Sequence, residues 1–411
     1  MVEEIYTALV GKEKKKIKVL RIINRFNLGG PTYNAAYLTK YLEPEFETLL
    51  VGGVKYEEEE SSEFILDKLG ITPVIIPEMQ RSISLINDKK AYQKIKKIIK
   101  EYKPDIVHTH ASKAGTLGRL AAVKCKIPIV IHTFHGHVFH SYFGKSKTLF
   151  YKIIERYLAK KSTKIIAISD LQKEELWKQH KICKKEKLTV IPLGFDLDRF
   201  QENIEEKRKS FRSTYNISDD EIAIGIIGRL VPIKNHQLFI RTIEQLKKNS
   251  TKKIRAFIVG DGEEKEQLIS TLKRINLDYV EWSINERPAT VTLTSWIKNI
   301  DWANAGFDII TLTSLNEGTP VSLIEAQASN KPIVTTNVGG VKNIVLENET
   351  AFIVEPNNVS QFSEALIKLI DNEELRKKMG NRGWEFVKKE FHYSRLMNDM
   401  KYLYLSLLNN N

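Results

Sequence analysis

Two glutamates stand eight residues apart in a stretch rich in small side chains, Ser314–Gly340. We expect Glu317 on a strand-to-helix turn and Glu325 inside the helix that follows it. Eight fully helical residues would span about 12 Å, whereas carboxylate pairs that hydrolyse one glycosidic bond lie roughly 5–9.5 Å apart. The spacing favours two separate hydroxyl contacts to one long ligand over a single acid/base pair. The alternative is an acidic turn followed by a solvated helix glutamate without a function.

Three residues between the glutamates predict the start of that helix. Thr319 is a good N-cap residue, and Pro320 suits the first helical position. Together with Gly318, they leave backbone N–H groups and a helix N-terminus beside Glu317. Such a terminus stabilises a bound anion.

A pair of cations follows another predicted strand, in the segment Gly228–Asn235 (GRLVPIKN). Arg229 and Lys234 are five residues apart, on a loop that follows Gly228 and leads into a helix. Arginine can grip a diphosphate with two hydrogen bonds, and lysine binds it as a point charge. The alternative is two ordinary surface cations among the 64 lysines and arginines of the chain.

The first half of the chain offers glycines and histidines. Gly29 and Gly30 follow the first predicted strand, where they would let the backbone approach a phosphate or sugar closely. Six of the nine histidines lie between residues 108 and 140, namely His108, His110, His132, His135, His137 and His140. No cysteine or carboxylate completes a tetrahedral metal set there, so we expect no metal. Asp196 and Asp198 resemble a metal-binding D-x-D, but their position favours a linker.

The pattern of the chain predicts an α/β fold with parallel sheets, because short apolar runs alternate with amphipathic ones. Residues 201–220 are polar and weakly periodic, and they predict a linker. We therefore expect an N-terminal domain at 1–200, a C-terminal domain at 221–385 and a C-terminal helix at 386–411 that packs back on the first domain. Two such halves would offer strand carboxyl ends and helix N-termini to a central ligand cleft.

Composition limits the classes of function. The 411 residues are 42% hydrophobic and carry a formal net charge of +13, which favours an anionic partner. Only two cysteines are present, which indicates a reducing compartment. No apolar run is long enough to span a bilayer. The N-terminal sequence does not have the pattern of a secretory signal. Spread lysines without a stacking motif argue against nucleic acid. The aromatics and lysines of residues 140–161 could rest on an anionic membrane, or form an ordinary amphipathic helix.

Glu317 and Glu325 with their surround EAQASNKPIVTTNVGG, preceded by GRLVPIKN, VGDGEEKEQL and VIPLGFDLDRF, resemble the retaining family 4 glycosyltransferases. The resemblance covers nearly the whole chain. It implies the GT-B fold, in which two Rossmann-like doubly wound domains face a central cleft. It implies transfer of a sugar from a nucleotide diphosphate donor, UDP-sugars being the most frequent, to a hydroxyl of a glycan or lipid-linked acceptor. Synthesis of bacterial polysaccharide or lipopolysaccharide follows from the resemblance alone.

The resemblance also implies roles for single residues. Glu325 would hold the ribose hydroxyls and Glu317 would lie at the transferred sugar, with backbone amides near Gly318, Thr319 and Pro320. The diphosphate would contact Arg229 and Lys234. The loop of Gly29 and Gly30 would line the donor and acceptor site, although Pro31 and Thr32 follow where many relatives carry a small residue and an acid. His135 would contact the transferred sugar, with His110 and Lys113 on the acceptor side.

In that reading the protein needs no metal or other cofactor, because its own cations replace one. The departing phosphate oxygen would take the proton of the acceptor. We expect a cytoplasmic location, with peripheral contact to the inner face of the cytoplasmic membrane left open. The alternative function is a non-catalytic GT-B-like protein that binds a nucleotide or glycan.

Overall fold

A computed structural model describes residues 16–27, 29–55, 61–80, 82–136 and 145–409 of the chain. His137, His140 and the first part of the segment predicted to contact a membrane lie outside these residues. The chain divides into two compact units, of which the first comprises Met1–Phe195 with Tyr393–Asn411 and the second Asp196–His392.

The first unit contains a seven-stranded parallel sheet in the order β3-β2-β1-β4-β5-β6-β7. Its strands are β1 (Ile17–Arg25), β2 (Phe46–Gly53), β3 (Val74–Ile75), β4 (Ile106–His110), β5 (Ile129–Phe134), β6 (Lys164–Ala167) and β7 (Leu188–Val190). Its helices up to residue 195 are α1 (Gly30–Lys40), α2 (Glu63–Lys68), α3 (Leu85–Tyr102), α4 (Ser112–Lys124), α5 (Lys145–Lys161) and α6 (Asp170–Glu174). The central strands are buried on both faces, which explains why they read as unbroken apolar runs.

The second unit contains another seven-stranded parallel sheet, in the order β10-β11-β9-β8-β12-β13-β14. Its strands are β8 (Glu221–Ile227), β9 (Lys253–Val259), β10 (Tyr279–Glu281), β11 (Val291–Ser295), β12 (Ile309–Leu312), β13 (Ile333–Thr336) and β14 (Ala351–Val354). Its helices are α7 (Ile204–Thr214), α8 (His236–Asn249), α9 (Lys265–Arg274), α10 (Ile300–Gly306), α11 (Val321–Ala328), α12 (Val359–Ile370) and α13 (Glu373–Phe391).

The segment predicted as a linker forms α7 and belongs to the second unit. Its polar residues are held by long-range partners: Arg208 Nη2 lies 2.7 Å and Arg212 Nη1 3.3 Å from carboxylate oxygens of Asp308. Burial raises the pKa of Asp308, but the two guanidinium groups and a hydrogen bond from the Ala223 amide together outweigh it and hold that pKa below its usual value. A polar sequence thus builds a packed helix, because its charges are paired inside the fold.

The C-terminal region also differs from the single helix predicted for residues 386–411. Helix α13 ends at Phe391 in the second unit, and a separate helix, α14 (Tyr393–Asn409), belongs to the first. The apolar face of α14 is buried against residues of the first sheet and α1, and it consists of Leu396, Met397, Met400, Leu403, Tyr404 and Leu405. Helices α3 and α4 cover the other face of that sheet.

Within the described ranges, we find no helix that combines the length and the apolar character needed to cross a bilayer.

Candidate functional site

The candidate site of the second unit lies where strand order reverses in the sheet. From β8 the chain proceeds outward to β9, whereas β12, β13 and β14 extend on the other side of β8. Loops that follow the carboxyl ends of strands at such a switch point diverge, and they form the usual ligand site of a doubly wound sheet. Lys234 lies on the loop after β8 and Glu317 on the loop after β12.

Lys234 and Glu317 form the central contact of this site. The Lys234 Nζ lies 2.5 Å from Oε1 of Glu317, and the Ser314 hydroxyl donates to the same oxygen at 2.6 Å. The Thr313 hydroxyl donates to the carbonyl of Lys234 at 2.9 Å, which fastens the two loops together. The predicted cation and carboxylate are therefore brought together, and Ser314 is a partner that the sequence reasoning missed.

A third loop, which follows β13, contacts the backbone of the Glu317 segment through two glycines. The amide of Gly340 donates to the carbonyl of Glu317 at 2.9 Å. A Cβ atom on Gly339 would stand 1.9 Å from the carbonyl oxygen of Glu317, and one on Gly340 would stand 1.7 Å from that of Gly318. Backbone therefore packs directly on backbone here, and only glycine permits this approach.

The helix after Glu317 begins later than its sequence predicts. Pro320 occupies the N-cap position, the first helical residue is Val321, and the Thr319 side chain makes no capping hydrogen bond. Only part of the interval between the two glutamates is helical, so the spacing of about 12 Å for a full helix does not apply. Gly318 is exposed and Thr319 partly exposed, which leaves the backbone before α11 open to a ligand.

Glu325 lies on α11 with 18% of its side chain exposed. Burial raises the pKa of Glu325 to about 7, although the guanidinium of Arg199, 3.6 Å away, opposes this shift. Arg199 belongs to a short 3-10 turn, Asp198–Phe200, at the start of the second unit. The sequence reasoning missed Arg199, and its place in the motif VIPLGFDLDRF was the available signal.

Arg229 and Gly228 lie on the same loop as Lys234. Arg229 is exposed, and its side chain has no hydrogen bond or ion pair to any residue that the structure describes, although its carbonyl accepts from the Val231 amide at 3.0 Å. The neighbouring loop packs on this segment through Gly260, whose φ is 144° and whose added Cβ would stand 2.0 Å from the carbonyl oxygen of Gly228. The loop is thus held by its backbone, while the Arg229 side chain is available to a ligand.

The first unit places the remaining predicted residues near the carboxyl ends of its own strands. His135 directly follows β5, and its Nε2 lies 2.9 Å from Nδ1 of His110, which is fully buried. Lys113 pairs with Asp88 at 2.5 Å between the starts of α4 and α3. Gly29 is the N-cap of α1, and Gly30 begins that helix.

The described histidines of the cluster fall into two groups. His108 and His110 stack on one another with ring centroids 4.3 Å apart, and His110 stacks on His135 at 5.1 Å. His132 instead lies 2.9 Å from the Thr109 hydroxyl. Among the residues described, no group of three histidine, cysteine or acidic side chains is arranged to hold a metal ion.

Asp198, the second aspartate of the D-x-D sequence, pairs with His392 at 3.1 Å.

The arrangement in the second unit suits a ligand with both anionic and hydroxyl groups. Lys234 and Arg229 supply positive charge, and the backbone before α11 supplies N–H donors. Glu325 supplies oxygens that can accept hydrogen bonds from hydroxyls.

Comparison with known proteins shows the family. Residues 29–199 match the model of "Glycosyltransferase Family 4", and residues 207–386 match that of "Glycosyl transferases group 1". An Escherichia coli protein, UDP-Gal:alpha-D-GlcNAc-diphosphoundecaprenol alpha-1,3-galactosyltransferase, is 33% identical over 82% of this chain and 84% of its own. The capsular polysaccharide biosynthesis glycosyltransferase CapM of Staphylococcus aureus is 27% identical over 81% and 85%.

The solved structures show the fold. HepE from Anabaena in complex with UDP superimposes with a TM-score of 0.78 at 17% identity, over 95% of this chain and 100% of that one. The resemblance and the α/β fold class predicted from the sequence are confirmed, and a non-catalytic binding protein is not favoured. The chain belongs to glycosyltransferase family 4 and is a glycosyltransferase of the GT-B fold.

Proposed function

We propose that this glycosyltransferase moves a sugar from a nucleotide diphosphate donor, a UDP-sugar first of all, to a hydroxyl of a glycan or lipid-linked acceptor. The anomeric configuration would be retained, and the product would enter a cell-surface polysaccharide. The observation that carries the proposal is the contact of Lys234 with Glu317 at the switch point of the second sheet. The UDP-galactose named for the Escherichia coli relative and the UDP bound to HepE support the choice of donor.

The diphosphate would be held by Lys234 and Arg229. Lys234 is already anchored by Glu317, so its Nζ is fixed before the donor arrives and loses little side-chain entropy on binding. Arg229 is exposed and would fold onto the phosphates from solvent. These two cations, with N–H groups before α11, would stabilise the charge that develops on the departing diphosphate. We propose that they take the place of a metal ion.

The two glutamates would have different tasks. Glu325, with its raised pKa and partly buried side chain, would accept hydrogen bonds from the ribose hydroxyls. Glu317 would lie at the transferred sugar, where its negative charge would favour an oxocarbenium-like transition state. The departing phosphate oxygen would take the proton of the acceptor hydroxyl, so that no separate general base is required.

Turnover of a panel of UDP-sugars by Lys234→Ala and Glu325→Ala tests these roles. We expect Lys234→Ala to lower kcat/KM by about 100-fold, which is the loss typical of one donor to developing charge, and Glu325→Ala mainly to raise the KM of the donor. Lys248→Ala is the matched control, because Lys248 forms only an exposed pair with Glu244 on α8. Near wild-type rates for both site variants would show that neither residue has the proposed role.

Contact with an anionic membrane is the second part of the proposal, since lipid-linked acceptors reside there. Helix α5 exposes an apolar stripe, Leu149, Phe150, Ile153 and Tyr157, and the chain at the start of α3 exposes Ile83, Leu85 and Ile86. Exposed lysines accompany both segments, among them Lys89, Lys90, Lys160 and Lys161. Apolar residues flanked by lysines are typical of helices that lie on anionic bilayers.

Sedimentation with phosphatidylglycerol vesicles tests this contact. We expect binding that weakens with salt and is lost in a Leu149→Ser/Phe150→Ser variant. Phe64→Ser serves as the control, because Phe64 is equally exposed on another helix of the same unit. Binding that survives the double substitution would show that this stripe is not the contact.

A further inference from the structure

Arg21 is a fully buried cation, and the side chains that the structure describes in contact with its guanidinium are two histidines and a tyrosine. It lies on β1 beside His108 of β4, its register partner in the parallel pair. Its Nη1 contacts Nδ1 of His108 at 3.1 Å and Nε2 of His110 at 3.3 Å, and its Nη2 donates to the Tyr404 hydroxyl at 3.2 Å. Within the described part of the chain, no carboxylate pairs with Arg21. A buried charge without a counterion is costly, and it requires a reason.

The guanidinium dictates where the proton of His110 lies. A guanidinium carries only donors, so Nε2 of His110 must present its lone pair to Arg21. The single proton of the neutral ring then lies on Nδ1. That atom is 2.9 Å from Nε2 of His135, to which it donates.

The same reasoning applies to the next ring, that of His135. Because Nε2 of His135 accepts the proton of His110, the proton of a neutral His135 lies on Nδ1. This Nδ1 is enclosed by the fold and has no hydrogen-bond partner within the described structure. A buried donor without an acceptor is unfavourable until an oxygen reaches it.

We infer that Arg21 is a positioning residue that acts through His110 and fixes His135 as a donor, whose Nδ1–H is satisfied by an oxygen of the bound sugar. The kinetic consequence rests on the proposed function, whereas the position of the proton does not.

The hydrogen bonds of the neighbouring Tyr404 and His108 agree with these proton positions. The Tyr404 hydroxyl accepts from Arg21 and lies 2.6 Å from Nδ1 of His108, to which it donates. His108 Nε2–H then donates to the Thr133 hydroxyl at 2.7 Å. Burial, reinforced by the charge of Arg21, lowers the pKa of His108 and His110, and burial lowers the pKa of His135 to about 3. All three rings are therefore neutral in the working range of pH.

Long-range proton–nitrogen NMR of the full chain labelled with ¹⁵N-histidine reads the proton positions directly. We expect the His110 and His135 rings both to carry the proton on Nδ1, which is the less common form of free histidine. Loss of signals in His110→Asn and His135→Asn variants gives the assignments. A proton on Nε2 of His135 in the wild-type protein would overturn the inference, even if the protein turned over no sugar donor at all.

Substitution of Arg21 tests the cause. The amide of Arg21→Gln can accept as well as donate, so we expect His135 to populate both proton positions and kcat to fall about tenfold with little change in the KM of the donor. Arg21→Lys keeps a donor-only cation and should retain the Nδ1 proton.

Tyr404→Phe is the matched control for damage to the cluster. It removes a hydroxyl from the same cluster but leaves the contact of Arg21 with His110, so the His135 proton should stay on Nδ1. A His135 ring that keeps its Nδ1 proton and a wild-type kcat in Arg21→Gln would show that Arg21 has no positioning role.

Discussion

At the scale of single residues, Glu325 is a carboxyl group that the fold holds at a cost to stability. Its carboxyl is largely buried, and its only ion-pair neighbour among the described residues is Arg199 at 3.6 Å, a distance too long for a hydrogen bond. The negative charge of Asp301 raises the pKa of Glu325 further. The group is therefore left partly uncompensated, and its raised pKa expresses this.

The raised pKa of Glu325 predicts a pH dependence of stability. A carboxyl with a folded-state pKa of about 7 binds its proton more tightly than the unfolded chain, where the pKa is about 4.3. This group therefore contributes its full stability below about pH 4, and that contribution is lost as the pH rises to 7. We expect a loss on the order of 3 kcal/mol between pH 4 and pH 8. Urea unfolding of the wild-type protein and Glu325→Gln measures it.

The comparison between the variants isolates this group from other titrations. As the pH rises from 4 to 8, the wild-type protein should lose the free energy of unfolding contributed by Glu325, whereas Glu325→Gln has no such contribution to lose. The variant should therefore become more stable relative to wild type as the pH rises. Glu374→Gln is the control, because Glu374 is exposed on the same unit. Parallel pH profiles for Glu325→Gln and wild type would show that the carboxyl is not uncompensated.

The sequence predicted the positions of the candidate residues in the fold better than their partners. Lys234 and Glu317 lie on loops after strands and Glu325 lies on the following helix, as the local pattern predicts, while their roles stay predictions. The contact of Arg21 with Tyr404 joins residues 383 positions apart, and no local pattern in a single sequence encodes such a pair. The roles given to His110 and Lys113 stay predictions, and both side chains are engaged by neighbours in the structure.

At the scale of elements, loops after three parallel strands build the candidate site of the second unit. The loop after β12 carries Glu317, the loop after β8 carries Lys234, and the loop after β13 supports the first through Gly339 and Gly340. The position of Glu317 thus depends on a neighbouring loop that contacts its segment through the backbone of two glycines.

Substitution of Gly340 by alanine should displace the Glu317 loop. The new Cβ would overlap the carbonyl oxygen of Gly318, and relief of such overpacking costs about 1–3 kcal/mol. We expect this loss in denaturant unfolding, together with a weaker UDP affinity in calorimetry, because the backbone N–H groups beside Glu317 move.

Gly318→Ala provides the contrast on the same loop. No atom lies within 4 Å of its added Cβ, so its stability should stay within about 0.5 kcal/mol of wild type. If Gly340→Ala bound UDP as tightly as Gly318→Ala, the loop after β13 would not determine the geometry of the site.

Elements with strong apolar runs were predicted and those with polar surfaces were not. Strands β1 (Ile17–Arg25) and β13 (Ile333–Thr336) are short apolar runs of the kind from which the parallel sheets were predicted. Helix α7 was missed because its buried face includes the charged residues Lys207 and Arg212. The carboxylate partner of Arg212, Asp308, lies 96 positions away in the sequence. A polar sequence therefore indicates a linker only where its charged side chains stay exposed to solvent.

At the scale of the whole molecule, the chain leaves the first unit after Phe195 and re-enters it at Tyr393. The amide of Tyr393 donates to the carbonyl of Phe195 at 3.0 Å, so the two crossings are joined by a hydrogen bond. Helix α14 then completes the core of the first unit. The integrity of the first unit therefore depends on residues that follow the whole second unit in the sequence.

Removal of residues 393–411 should unfold the first unit and leave the second folded. Six buried side chains of α14 are lost, and about 1.5–3 kcal/mol for each sums to on the order of 10 kcal/mol, which is comparable to the whole stability of a domain. In hydrogen exchange of the 1–392 chain, strands β1–β7 should lose protection while β8–β14 keep it, and a peptide of residues 393–411 added in trans should restore β1–β7. Full protection of β1–β7 without the peptide would show that the first unit does not need this helix.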